Sequence, residues 1–349
     1  MTLEEIKLRQ LTNQYLINPG VKAKVVKDLC GIQAQFMANA YHSLKIRCNE
    51  CNESDFGENL IKNWTIRGTV HIFHESDLPI FINCDSGKNY LKNVWDDRSF
   101  WNQRENWHLT PERQSYLSDV IVNALKKKSH TRDELKKICR EKGMTPAEES
   151  SMFDPWGGGV RELCERGFIN YKVKEEKEFA LTPKYEPLEK EKAELILAER
   201  YFRNFAPATI HDAMYFFNTT KKKVKSWIEN LPIKSLQFGG KTYFYIENGK
   251  NYNYNIPDVL FLAGFDQLML GYEKKENLYL KSEHLRGIFN LAGIVMPPLL
   301  LRGEVIGKWK NQNGKLMITT FENIYSDDVA LIKDNAENLF ESIKRIEFI

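Results

Sequence analysis

TIHDAMYFFNTTKKKVKSWIENLPIKSLQFGGKTYFYI, residues 209–246, is the stretch on which the fold turns. Thr209 stands where an N-cap belongs, ahead of a helix running through Phe217. Thr219 or Thr220 caps the next helix, which reaches Leu231 and carries Lys221, Lys222, Lys223 and Lys225 on its first turns. Ser235 to Phe238 and Lys241 to Ile246 form a hairpin, and Gly239-Gly240 between them supports a tight primed turn. A long helix over about 187–204 precedes all of this. Helix, helix, helix, hairpin is the winged-helix plan, a variant of helix-turn-helix. In that plan lysines early on the third helix face a DNA groove or its phosphates. Taken alone, such a run is ordinarily just a solvated helix face.

Residues 110–182 repeat this order of elements without repeating the sequence. Thr110-Pro111 pairs an N-cap with proline at the first helical position. Leu117, Ile121 and Leu125 share one face of the next helix, to about Lys127. Thr131-Arg132-Asp133-Glu134 is a capping box that opens a second helix to about Glu141. Val160 to Glu165 reads as a third, stopped by Gly167. Phe168 to Val173 and Glu178 to Leu181 then alternate as a hairpin.

The first hundred residues are less regular. Helices are expected at Leu8 to Leu16, Lys22 to Cys30 and about Asn39 to Arg47, with a strand from Trp64 to Phe73. They predict a third unit of the same kind. Beyond 257, short strands are expected at Val259 to Leu262, Pro298 to Leu301, Glu304 to Trp309 and Leu316 to Thr320, with Arg302-Gly303 as a turn. A final helix near 327–343 completes a small β-rich, barrel-like unit. The expected class is therefore α+β: tandem winged-helix domains over 1–109, 110–185 and 186–256, then a β-barrel-like domain over 257–349.

A chain of 349 residues with 42% hydrophobic content has enough apolar material for two to four compact units. No apolar run approaches the roughly 20 residues of a membrane span. Met1-Thr2-Leu3-Glu4-Glu5-Ile6 places acids where a signal peptide has basic residues, so a cytoplasmic location is expected. The six cysteines (Cys30, Cys48, Cys51, Cys84, Cys139 and Cys164) are mostly isolated, as free thiols in a reducing compartment are. The net charge of +3 says little about partners, but residues 196–250 hold nine Lys/Arg against four Asp/Glu.

The chain lacks a Gly-rich phosphate loop with its lysine, a dinucleotide fingerprint and a nucleophile elbow, which argues against nucleotide hydrolysis and hydride transfer. Cys48 and Cys51, with His71 and His74 further on, offer four zinc-type ligands. On a strand, however, His71 and His74 point to opposite faces. Gly31-Ile32-Gln33-Ala34-Gln35 is the most suggestive segment. Gly31 suits the left-handed end of the preceding helix. If the backbone after it is extended, Gln33 and Gln35 point the same way while Ala34 packs behind. By itself Gln-x-Gln is also an ordinary pair of turn glutamines.

LCGIQAQ at 29–35 resembles the signature of the AlkZ/YcaQ-type winged-helix DNA glycosylases. TIRGTVHIF at 65–73 is similar to that family's Arg-Gly-Thr-x-His strand. LAERYFRNFAPATIHDAMYF at 197–216 resembles its long helix and Pro-Ala-Thr cap. FDQLMLGY at 265–272 and PPLLLRGEVIGKWK at 297–310 resemble its barrel strands. The similarity runs in order along essentially the whole chain. It implies three winged helices and a small β-barrel clasping DNA, and excision of N7-alkylated purines, with interstrand-crosslink unhooking in some members. It assigns the catalytic pair to Gln33 and Gln35. Two departures stand out. Gln267 replaces a usual proline, and Gly271-Tyr272-Glu273 replaces a more basic segment, both read as lying away from the chemistry.

Amides are poor general bases, but an N7-alkylated guanine is already cationic and leaves as a neutral base. Holding a water about 3 Å from the anomeric carbon is then the main task. Arg67 is expected at a phosphate, Thr69 and His71 along the site, and Trp64 in the core. Double-stranded DNA with alkylated bases is the expected partner. No cofactor, no metal and no obligatory protein partner are expected, and the protein is expected to be a monomer. The alternative is a non-catalytic winged-helix regulator, which would select one undamaged DNA sequence.

Overall fold

The computed structural model describes residues 1–52, 54–82, 106–155 and 157–349. Cys84 lies outside the described residues, and among the described residues the other five cysteines form no disulfide. The described residues form fourteen α-helices with mainly antiparallel sheets. The chain divides into two compact units: residues 1–33, 38–52 and 198–349, and residues 34–37 with 53–197.

In the second unit the expected strand from Trp64 to Phe73 is a hairpin instead. Leu60–Trp64 pairs with Val70–His74, and Trp64 lies opposite Val70. The turn rests on Arg67 and Gly68, at φ 59° and 63°, and the Thr65 N–H donates to the Thr69 carbonyl at 3.1 Å. The alternation of polar and apolar residues continues through the turn, which hid it. Lys62 pairs with Tyr171, so this hairpin and the next (Ile169–Tyr171 with Glu178–Leu181) share one sheet. His130–Thr131 pairs with Glu178 and Phe179 at its far side.

The helices Pro111–Leu125, Arg132–Glu141 and Gly158–Glu165 cover this sheet. Leu117, Ile121, Leu125, Leu135, Cys139, Leu163, Ile169 and Phe179 form the core between them, and the first three are the face expected from their spacing. The capping box at Thr131 is present. A further helix, Pro146–Met152, precedes Gly158–Glu165. It was not among the expected elements, although it opens with its own capping box, Thr145 and Glu148.

In the first unit, helices span Leu3–Asn13 and Lys22–Asp28, and Met37–Lys45 falls almost wholly within it. Helix Ile210–Phe217 is capped by Thr209 in a box with Asp212, and Lys221–Asn230 is capped by Thr220. Lys234–Phe238 and Lys241–Tyr245 pair as a hairpin, closed by Gly239 and Gly240 at φ 55° and 73°. Both values belong to a primed turn, whose positive φ at both central positions glycine adopts without strain. Ala208 bridges Phe244 and adds a third edge to the hairpin. An aromatic cluster of Tyr201, Phe205, Phe216, Phe217 and Trp227 fills the space beneath.

The C-terminal strands are Val259–Phe261, Pro298–Leu301, Glu304–Gln312, Lys315–Thr320 and Arg345–Phe348. The first four neighbour one another in that order, antiparallel, and the last joins Lys315–Thr320 in parallel. Among the described residues the two edge strands do not meet, so the sheet is open and not a closed barrel. Helix Ser326–Leu339 covers it, burying Ile332 and Ala336 against Leu299, Trp309, Leu316 and Ile318. Five short strands do not curl round upon themselves, and the helix closes the core in place of further strands.

Candidate active site

Gln33 and Gln35 come directly after a sharp reversal of the chain. Helix Lys22–Asp28 ends with Cys30 and Gly31 both left-handed, at φ 55° and 81°. The Gly31 N–H donates to the Val26 carbonyl at 2.9 Å, the wrap-around bond of a glycine-terminated helix. Ile32 and Gln33 are then extended. Ala34 is wholly buried, and its N–H donates to the Val70 carbonyl at 2.8 Å. The extended run stops there. Gln35 and Phe36 lie in a bend before helix Met37–Lys45, and both are exposed, whereas Gln33 keeps only 6% of its surface. Ala34 therefore packs behind as expected, but the two glutamines differ in environment, one at the edge of the interior and one in solvent.

Gln267 was expected far from this segment, and the structure corrects that. Its Nε2 donates to the Gly31 carbonyl at 2.7 Å, two residues before Gln33. The turn that carries it is held firmly. Asp266 caps helix Gln267–Leu270 by accepting from the Leu268 N–H at 2.9 Å. Asp266 also binds Arg47 with both oxygens, at 2.6 and 2.9 Å, and both residues are fully buried. A two-pronged guanidinium–carboxylate pair offsets its desolvation only with such geometry and further bonds. Arg47 also donates to the carbonyls of Gln14 and Ser43. Sequence reading had no means of finding these residues, because 219 positions separate Arg47 from Asp266. The other departure, Gly271-Tyr272-Glu273, serves packing. The Tyr272 hydroxyl donates to the Phe205 carbonyl at 2.8 Å, and a side chain at Gly271 would collide with the Phe205 ring.

In the second unit, His71 is wholly buried. Its Nδ1 lies 3.1 Å from the Thr69 carbonyl and 2.9 Å from the Thr65 hydroxyl, so the proton belongs on Nδ1. Nε2 accepts from the Arg67 guanidinium at 3.4 Å. Burial, helped by the neighbouring Arg67 charge, pulls the imidazole down to about 3. His71 is therefore neutral and helps hold Arg67, itself half-buried on the turn. Thr69 is half-buried, its hydroxyl donating to the Ile66 carbonyl at 3.3 Å.

Beside them the Arg161 guanidinium lies 3.7 Å from the centre of the Trp64 ring, and Trp64 packs on the core. Arg161 is a cation the motif reading missed. With its ring nitrogens engaged inside the hairpin, His71 is badly placed to ligate zinc. Burial pushes the Cys48 thiol up to about 12. Among the described residues one trio of carboxylate and imidazole groups is close enough for a metal: Glu283, His284 and Glu322. There Lys281 and His284 already bind the Glu322 carboxylate.

Lys221, Lys222 and Lys225 are exposed and Lys223 half-buried on the first turns of helix Lys221–Asn230, while Val224 and Trp227 face the core. No helix among the described residues is long and apolar enough to cross a membrane.

A family model described as "DNA glycosylase AlkZ-like" matches residues 26–341. The chain belongs to the AlkZ-like DNA glycosylase family. A curated relative, "Interstrand DNA cross-link repair glycosylase" of Streptomyces sahachiroi, is 25% identical to the AlkZ-like chain over 338 residues. That match covers 90% of this chain and 89% of the relative. The solved structure of Streptomyces sahachiroi DNA glycosylase AlkZ superposes with a TM-score of 0.78 over all of both chains at 20% identity. At that identity the likeness shows the shared fold. The AlkZ-like match begins before Gly31 and ends beyond Glu322, so it contains every site residue named above.

Proposed function

We propose that the protein hydrolyses the N-glycosidic bond of N7-alkylated purines in double-stranded DNA and unhooks interstrand crosslinks formed through such bases. The carrying observation is the placement of the Gln-x-Gln pair directly after a glycine-pivoted turn, inside a chain-long match to a DNA glycosylase family. A named relative acts in interstrand crosslink repair. The three helix–hairpin segments over 1–109, 110–185 and 186–256 serve as winged helices, and 257–349 as a fourth, sheet-based domain. The protein works as a monomer in the cytoplasm.

In the proposed chemistry the alkylated base carries the positive charge already, so the bond ionises without an acid. The carboxamide oxygens of Gln33 and Gln35 accept hydrogens from one water and turn its lone pair to the anomeric carbon. Their dipoles favour the positive sugar that develops. Gln33, nearly buried, is the rigid partner, and Gln35, exposed, meets the nucleotide from the solvent side. Arg67, steadied by His71, and Lys221, Lys222, Lys223 and Lys225 contact phosphates. A regulator without catalysis is not favoured, since the family matched is one of glycosylases.

Duplexes carrying 7-methylguanine or a nitrogen-mustard crosslink test this. The parent protein is expected to leave abasic sites, and Gln33→Ala and Gln35→Ala each to lose on the order of 100-fold in single-turnover rate. Undamaged DNA is expected to stay intact. Equal rates in all three proteins would remove the glutamines from the mechanism.

A further inference from the structure

We infer that Gln267 is a positioning residue for Gln33, acting through the Gly31 carbonyl. The inference rests on the reading of Gln33 as a catalytic group. Gly31 is the pivot at which helix Lys22–Asp28 turns into the extended Ile32–Gln33 segment. It is left-handed, at φ 81°, after a left-handed Cys30. Without a Cβ, a glycine rotates at little steric cost, so its own backbone does not fix the direction of the Ile32–Gln33 segment. Its carbonyl lies in the interior and needs a donor. The Gln267 amide supplies one at 2.7 Å, from a side chain that is 1% exposed.

Three features show a lock rather than a chance contact. The turn carrying Gln267 is anchored by the buried Arg47–Asp266 pair. It begins at Phe265, itself left-handed at φ 57°, and Gly264 before it lies so close to Asn39 that an added Cβ would come within 2.8 Å of its Nδ2. Gln267 Oε1 is buried without a hydrogen-bond partner among the described residues. A polar side chain kept inside at that cost, for the sake of one N–H, marks the bond to Gly31 as what the residue supplies. Removing the donor leaves the carbonyl unsatisfied, and the peptide relieves this by swinging about Gly31. That swing carries Gln33, two residues on, away from its water.

Two variants test the inference. Gln267→Met keeps the length and removes the donor. Gln267→Asn keeps the amide and withdraws it by one methylene, and serves if the first variant does not fold. The readouts are hydrogen exchange at Ile32 to Ala34, single-turnover excision on a 7-methylguanine duplex, affinity for that duplex, and Tm. Exchange at these amides is expected to speed up about tenfold. The excision rate is expected to fall on the order of 100-fold, as a displacement near 1 Å produces, with affinity within about twofold.

Unchanged exchange overturns the inference whatever the activity. Faster exchange with an undiminished rate overturns it too, provided Gln33→Ala is inactive. A lower Tm with a normal rate per folded molecule marks Gln267 as merely structural. If instead Gln33→Ala matches the parent, or the parent itself is inactive, the glycosylase role of Gln33 fails. The positioning role falls with it, and the exchange data separately report whether the lock exists.

Discussion

His71 shows how a single residue links burial to pH. An imidazole held down to about 3 sits well below the ordinary value of about 6.5. The unfolded chain therefore binds a proton between those limits that the folded chain refuses. The resulting stability is fully present above about pH 6.5 and is lost as pH falls toward 3. From pH 7 to pH 5 the loss attributable to His71 is about 2 kcal/mol. Urea unfolding at the two pH values measures it, and His71→Asn is expected to flatten the difference. The same variant removes the ring that accepts from the Arg67 guanidinium in the parent.

At the scale of elements, two predictions separate backbone demand from charge. Gly240 sits at φ 73° with open space around an added Cβ, so Gly240→Ala changes conformational strain and little else. Its expected cost is about 1 kcal/mol, read by chemical denaturation. The helix Lys221–Asn230 presents lysines outward and Val224 and Trp227 inward, a division set by its 3.6-residue period. If its lysines neutralise phosphates, Lys221→Ala, Lys222→Ala and Lys225→Ala combined should weaken binding to all duplexes alike. The combined variant should also lower the slope of log K against log salt by about 0.9 per lost contact. An unchanged slope would return this run to being a solvated face.

For the molecule as a whole, the long-range device is the buried Arg47–Asp266 pair, which joins the Met37–Lys45 helix region to the Asp266 turn within one unit. Asp266→Ala leaves the Arg47 charge uncompensated in the interior. The expected destabilisation is about 3–5 kcal/mol, measured by equilibrium unfolding. A value near zero would mean that water reaches the site and relieves the charge.

Local chemistry was legible in the sequence because its causes are local. The capping box at Thr131, the N-cap at Thr209, the primed Gly239-Gly240 turn and the left-handed Gly31 each arise from a few adjacent residues. The spacing of Leu117, Ile121 and Leu125 foretold a buried helix face for the same reason. The Gln33–Gln35 segment was suggestive from its glycine turn and its i, i+2 spacing, but only the resemblance to a family attached a catalytic role to it, since two amides carry no such signal of their own. What tertiary structure decided depends on residues remote in the chain. It turned the Trp64 to Phe73 run into a hairpin, joined that hairpin to the next through Lys62 and Tyr171, and left the C-terminal sheet open under a helix. It also brought Gln267 to Gly31 across 236 positions. Alternation, propensity and capping act over a few residues, whereas burial of a carbonyl or a charge selects its partner from anywhere in the fold.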